Sequence, residues 1–231
     1  MKELLSSWGV SYDGVDLEAD PSRMADLERL GIPIFPATIV GDRFVHGWNP
    51  KALAELVGVQ YVEGQRLMPE ELWRRLDRVL AANHAAIRAV SPAQLATKAP
   101  DRDRALGELA YHVFRLSAAF ADCREQGQFP EAWLLEGPTP EMTDGAAIAD
   151  YGQRVRDRLR AFCTKPGWCD GQVTTYYGQQ TAHDLMERTT WHAAQHVRQV
   201  YWFIDRMGIR VGEGLSERDL QGLPIPVAVW S

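Results

Sequence analysis

Residues 175–199 read Thr175-Tyr-Tyr-Gly-Gln-Gln-Thr-Ala-His-Asp-Leu-Met-Glu-Arg-Thr-Thr-Trp-His-Ala-Ala-Gln-His-Val-Arg-Gln199. They open a run over 179–207 in which Leu185, Trp191, Val200, Phe203 and Ile204 recur at helical spacing. His192 and His196 stand four residues apart within it, so their side chains leave one face of a helix about one turn from each other. Leu185, Gln199 and Phe203 fall on that same face, so the pair points along the apolar stripe and into a core.

Three earlier runs have the same grammar. Residues 69–90 carry Leu72, Trp73, Leu76, Leu80 and Ile87, and residues 103–125 carry Leu106, Leu109, Phe114, Leu116 and Phe120. Residues 145–164 carry Ile148, Tyr151, Val155, Leu159 and Phe162. The connections hold Pro, Gly and Asp, which reverse a chain. Four amphipathic helices joined in this way predict an up-down four-helix bundle over 67–209, with an extended tail over 210–231.

The second run contributes His112, on a face with Leu109, Leu116, Ala119 and Cys123. A lone histidine on an apolar face is ordinarily a hydrogen-bonded core residue. A His-x-x-x-His pair is different, because burying two imidazoles side by side needs a reason. His112, His192 and His196 converging in a bundle would hold a divalent cation, zinc or nickel, and leave it open positions, as catalytic sites do. No Glu stands in the zinc-protease position between the pair, so that chemistry is not supported. Glu108 lies a turn before His112 and Gln199 nearly a turn after His196. Each could orient a ligand's other nitrogen or a bound water, against the plainer reading of Glu108 as a solvated residue. His183 lies opposite His192 on the wheel and pairs with Glu187, while His84 reads as a core-edge residue.

The stretch 175–199 resembles the last helix of the DinB-like superfamily, and Leu106-Gly-Glu-Leu-Ala-Tyr-His112 resembles that family's second helix. The resemblance implies a four-helix bundle holding a divalent metal on one histidine of helix two and two of the last helix, which fall on His112, His192 and His196. It implies a metal-dependent enzyme acting on a small molecule. Family members with an assigned reaction include thiol-dependent S-transferases and a mycothiol-dependent isomerase, so a low-molecular-weight thiol is the expected cosubstrate. A hydrolase using bound hydroxide and a non-catalytic metal-binding or sensor protein are the alternatives.

Residues 1–60 have a different texture: a strand-like 10–17, an amphipathic 21–30, and two short apolar runs, 37–40 and 44–46, around Gly41-Asp42. Asn49-Pro50 then opens a helix to about Val57. The order is that of a small α/β module, so the whole chain is α+β and mainly α. Residues 31–50 resemble the cis-proline strand, hairpin and last helix of a glutaredoxin in the thioredoxin fold, with Pro36 at the cis-proline and Gly47 after the hairpin. None of residues 1–59 is cysteine, so the thiol exchange of that family is absent from the module as it stands. Either a Cys-x-x-Cys lies upstream of a late start, or the module is a remnant used for packing or for a homodimer.

The net charge of −6 argues against a general nucleic-acid binder. No apolar run is long enough to span a membrane, and the N-terminus lacks the apolar core of a signal peptide, so a cytoplasmic location is expected. Cys123, Cys163 and Cys169 have neither disulfide nor zinc-knuckle spacing and read as buried small residues. Tyr176, Tyr177, Trp191 and Trp202 could line a pocket over the metal. Arg115 and Arg188 could grip an acidic substrate.

Overall fold

The structure, a computed structural model, describes residues 4–5, 8–15, 17, 20–32, 37–47, 49–60, 66–100, 104–212, 214–225 and 228–230. Two compact units are present: Met1–Arg66 with Tyr176–Gly178 and Ser231, and Leu67–Thr175 with Gln179–Trp230.

The first unit contains α1 (Met24–Leu30), the antiparallel hairpin β1 (Ala37–Val40) and β2 (Arg43–His46), and α2 (Pro50–Val57). The hairpin pairs Ala37 with His46 and Val40 with Arg43, leaving Gly41-Asp42 as its turn. Asn49 accepts the Ala52 N–H at 3.0 Å and Pro50 occupies the first turn, so α2 begins where its cap dictates. Leu5, Leu53 and Leu56 form its core, with Trp8, Val10 and Val45 against them. The strand expected over 10–17 is not found: residues 10–15 are irregular, and Tyr12 and Val15 are exposed. The described sheet has only the two strands β1 and β2, so this segment has no ladder to join, and an unpaired strand is marginal in water. Pro36, the expected cis-proline, lies outside the described residues.

The second unit contains four long helices: α3 (Pro69–Arg88), α4 (Leu106–Gln126), α5 (Gly145–Phe162) and α6 (Ala182–Arg206). Both α3 and α4 pack on α5 and α6, whereas α3 meets α4 over a smaller stretch. The order round the unit is therefore α3, α6, α4, α5. Two of the three connections cross it diagonally, which a simple up-down arrangement does not do. Those connections, 89–105 and 163–181, are long enough to cross. Each also carries structure of its own: a helical turn at Pro92–Leu95, and the strands β4 (Gln172–Thr175) and β5 (Gly178–Thr181). β4 pairs in parallel with β3 (Gln128–Phe129). The sheet takes residues 179–181 from the expected last helix, which starts at Ala182 with Thr181 as its cap.

The core of this unit is apolar and closely fitted: Leu72, Leu76, Leu80, Ile87, Phe114, Phe120, Ile148, Leu159 and Phe203 are all within 2% of full burial. At Gly152 a Cβ would lie 2.2 Å from the Phe114 ring, so a glycine is what lets α5 approach α4. Among the described residues no helix is long and apolar enough to cross a membrane. The segment after α6 is not simply extended. It forms a helical turn at Glu217–Leu220 that is held to α3, with Arg75 donating to the Asp219 carbonyl at 3.4 Å and to the Gln221 carbonyl, and Arg78 to the Gly214 carbonyl at 3.1 Å.

Candidate metal centre

Helices α4 and α6 are neighbours, and their facing sides carry the three histidines. The start of α6 is fixed by a reciprocal cap: the Asp184 N–H donates to the Thr181 hydroxyl at 3.0 Å, and the Thr181 N–H to the Asp184 carboxylate at 3.2 Å. Two turns on, buried Thr190 donates to the Met186 carbonyl at 2.8 Å, which keeps its polar atom satisfied beside His192.

His112 is buried and His192 and His196 are partly buried, and one ring nitrogen from each lies within 4.8 Å of the others. Ring centroids are 5.7 Å apart for His112 and His192, 5.1 Å for His112 and His196, and 4.7 Å for His192 and His196. The Nε2 atoms of His192 and His196 are 2.9 Å apart. Two imidazoles on one cation at about 2.0–2.1 Å would have their nitrogens roughly 2.9–3.4 Å apart, so this pair has the spacing of two ligands of one ion.

The protonation of His196 follows from its neighbours. Its Nδ1 is 2.7 Å from Gln199 Oε1, and Gln199 Nε2 is 3.0 Å from the Val229 carbonyl. A carbonyl only accepts, so the amide NH₂ must face it and the amide oxygen must face the ring. Nδ1 therefore carries the proton and Nε2 presents a bare lone pair towards His192.

Burial holds all three rings neutral. It pushes His112 down to about 2, with the fields of His196 and Arg104 adding and a hydrogen bond to the Leu134 backbone opposing. It pushes His196 down to about 4, against the Gln199 hydrogen bond and with Arg104 adding. His192 is lowered by burial first and then by His196 and Arg188. Neutral imidazoles are what a cation requires. A ligand-spaced pair and three neutral donors converging from facing helices fit a divalent cation. Among the described residues no carboxylate or thiolate joins the three nitrogens.

The two expected orienting residues part company. Gln199 meets His196. Glu108 is exposed, and its carboxylate accepts the Ala105 N–H at 2.8 Å, closing the first turn of α4. A Glu at the third position of a helix reaches back to its start, so its backbone task explains its place.

Arg115 is not available to a substrate, since Glu136 and Asp122 pair with it and Trp133 lies against its guanidinium. Instead of pairing with Glu187 as expected, His183 bonds the Leu67 carbonyl at 2.8 Å. Cys123, Cys163 and Cys169 are buried, and burial pushes the Cys123 thiol up to about 11 and the Cys163 thiol up to about 12. Trp191 lies beside His192, ring centroids 5.7 Å apart, whereas Trp202 packs on Phe203 and Trp230. Tyr176 and Tyr177 pack edge to face on each other. Sequence reasoning missed Arg104, whose field reaches all three imidazoles, and the Val229 carbonyl. Neither belongs to a spacing pattern that could have revealed it.

No protein-family model matches the chain, and no curated protein matches it. Among solved structures it is similar to a DinB-like protein from Bacillus subtilis, at 14% identity and a TM-score of 0.51, over 63% of this chain and 96% of that one. At that identity the likeness speaks of fold: over the matched part, this mainly helical chain has the fold of a DinB-like protein.

Proposed function

We propose that this chain is a divalent-metal-dependent enzyme on a DinB-like four-helix scaffold, using an exogenous nucleophile on a small electrophile. The observation that carries the reading is the set of three neutral imidazoles, converging within 4.8 Å with no fourth protein ligand among the described residues. When bound, a zinc- or nickel-like cation would act as a Lewis acid, lowering the pKa of a thiol or water at an open position.

The chain's own residues do the rest. His112, His192 and His196 would hold the cation, and Gln199 keeps the His196 proton on Nδ1, which leaves its Nε2 lone pair free to bind. Arg104 and Arg188 add positive field, which favours an anionic ligand such as a thiolate or a substrate carboxylate. Trp191 covers the His192 side. The nucleophile is exogenous because the three cysteines are buried, with the Cys123 and Cys163 thiols held protonated, and the site holds none of them. A low-molecular-weight thiol, giving S-transfer or isomerisation, is the first choice. Water, giving hydrolysis, is the second, because the same open positions accept it. The N-terminal unit is proposed as a glutaredoxin-like remnant serving packing or a homodimer, in a cytoplasmic protein.

Protein purified without a nickel column should hold, or take up on titration, about one equivalent of zinc or nickel per chain. His192→Ala should abolish that uptake with helical circular dichroism intact, because three-ligand sites lose a cation with one imidazole. Less than a tenth of an equivalent with no uptake ends the catalytic reading, and stoichiometric metal in His192→Ala ends the ligand set. Metal-loaded protein screened with glutathione, mycothiol and bacillithiol against electrophiles, and against esters without thiol, separates transferase from hydrolase.

A further inference from the structure

The last described residues of the chain reach the centre. The side-chain amide of Gln195 donates to the carbonyls of Ala228 at 3.1 Å and Val229 at 2.8 Å, and that of Gln199 donates to Val229 at 3.0 Å. Both glutamines are largely buried and lie four residues apart on α6, so they form one rail for the strap. Arg198 donates to Gln195 Oε1 at 2.7 Å and fixes which end of that amide meets the strap. Trp230 then packs edge to face on Trp202 and Phe203, at centroid distances of 5.4 and 5.9 Å. Further upstream the same segment is tied to α3 through Arg75 and Arg78.

The Val229 carbonyl accepts from two amides, which uses both its lone pairs. It cannot face the oxygen end of Gln199, so it sets the orientation of that amide, and the amide sets the proton on His196. We propose that residues 228–230 are a positioning strap for the metal centre. Val229 works through Gln199 to lock His196 in the Nδ1–H tautomer, with Nε2 ready for a cation. His192 has no such lock. Its Nε2–H donates to the bare Nε2 of His196, and to hold a cation through Nε2 it would need its proton on Nδ1 instead. The strap therefore presets one ligand and leaves the other free to answer the ion.

Two readouts test this, and only the second rests on the cation site proposed above. In the metal-free full chain, long-range ¹H–¹⁵N spectra of the histidine side chains should give His196 as the Nδ1–H tautomer. Deleting residues 228–231 should turn it into a mixture of both tautomers, as should Gln199→Leu. For zinc, Gln199→Leu should raise Kd by about 10–100-fold, the usual effect of removing a ligand's orienting partner, and the deletion should raise Kd in the same direction. Combining the two should cost no more than Gln199→Leu alone, because both break one chain of hydrogen bonds.

Gln195→Ala loosens the strap but keeps Trp230, so it stands in if the deletion loses helical circular dichroism; it should move the tautomer balance the same way. An Nε2–H His196 in the full chain overturns the proposal. So does a tautomer balance unmoved by the deletion or its stand-in, and so do zinc effects that multiply in the double variant. If the full chain takes up no zinc, the metal reading fails and the tautomer arm still decides the strap.

Discussion

At the scale of single residues, the molecule concentrates its acid sensitivity in the histidines. An imidazole with a folded pKa below its unfolded value of about 6.5 is neutral in both states at pH 7.5 and contributes no pH slope there. Below 6.5 the unfolded chain takes up protons that the folded chain refuses, so stability falls as pH falls, at about 1.4 kcal/mol per pH unit for each such ring. For His196 the loss continues to its folded value of about 4 and for His112 to about 2, and His192, held well below its ordinary value by burial, adds in the same direction. Half-buried His84, lowered by burial and by Arg88 and Arg156, adds in the same direction. Carboxylates act lower: Glu71, held at about 2 by Arg74 and Arg75, loses its contribution only as pH drops from about 4.5 towards 2. The window from 6.5 to 5 thus isolates the imidazoles. Thermal melts of metal-free protein should show Tm falling steadily across it, with His84→Gln reducing the slope by less than the share of any ring of the cluster. A flat Tm between 7.5 and 5 would contradict the burial of the cluster. The histidines were legible because a four-residue spacing on an apolar stripe fixes direction. Glu108 misled because the same position near a helix start serves a ligand or a cap equally well.

At the scale of elements, the helices follow from periodicity and their ends follow from caps. Asn49 with Pro50 gave α2 its observed start, and the expected runs 69–90, 103–125 and 145–164 lie close to the observed α3, α4 and α5. Residues 179–181 look helical in sequence because Gln and Thr extend an amphipathic pattern without breaking it. Pairing with a distant strand is a tertiary event that local spacing does not encode. Nor does periodicity encode which helices are neighbours, since any of the four stripes can face any other. Here glycine marks the answer. In an exposed helix, Gly→Ala stabilises by about 0.8–1 kcal/mol. At Gly152 the new methyl would meet the rigid, fully buried Phe114 ring at 2.2 Å, so the sign reverses. Gly152→Ala should destabilise the chain by about 1–3 kcal/mol through overpacking between α4 and α5, read as a lower urea midpoint with unchanged m. A higher midpoint would mean that the two helices do not approach at that residue.

At the scale of the whole molecule, the division into two units decides what the metal centre depends on. The three imidazoles, Gln199, Gln195, the strap and Arg104 all belong to the unit of Leu67–Thr175 and Gln179–Trp230. That unit also holds the fully buried residues of the large core, whereas among the described residues of the first unit the core cluster is Leu5, Leu53 and Leu56 beside a two-stranded sheet. Burial of apolar area at about 25 cal/mol per Å² is what offsets chain entropy, so the helical unit carries its own stability and the small one has little to spare. A chain of residues 67–231 should keep its helical circular dichroism and bind zinc with the stoichiometry of the full chain and a Kd within about threefold, since its donors and their hydrogen-bond partners are complete. Measured beside the full chain, loss of stoichiometric zinc with helicity retained would show that residues 1–66 supply part of the centre. Unchanged zinc binding with lost turnover, once a substrate is in hand, would assign those residues to substrate or thiol docking. The resemblance of residues 31–50 to a thiol-handling fold makes that second outcome the informative one, because it would give a cysteine-free module a task in the reaction.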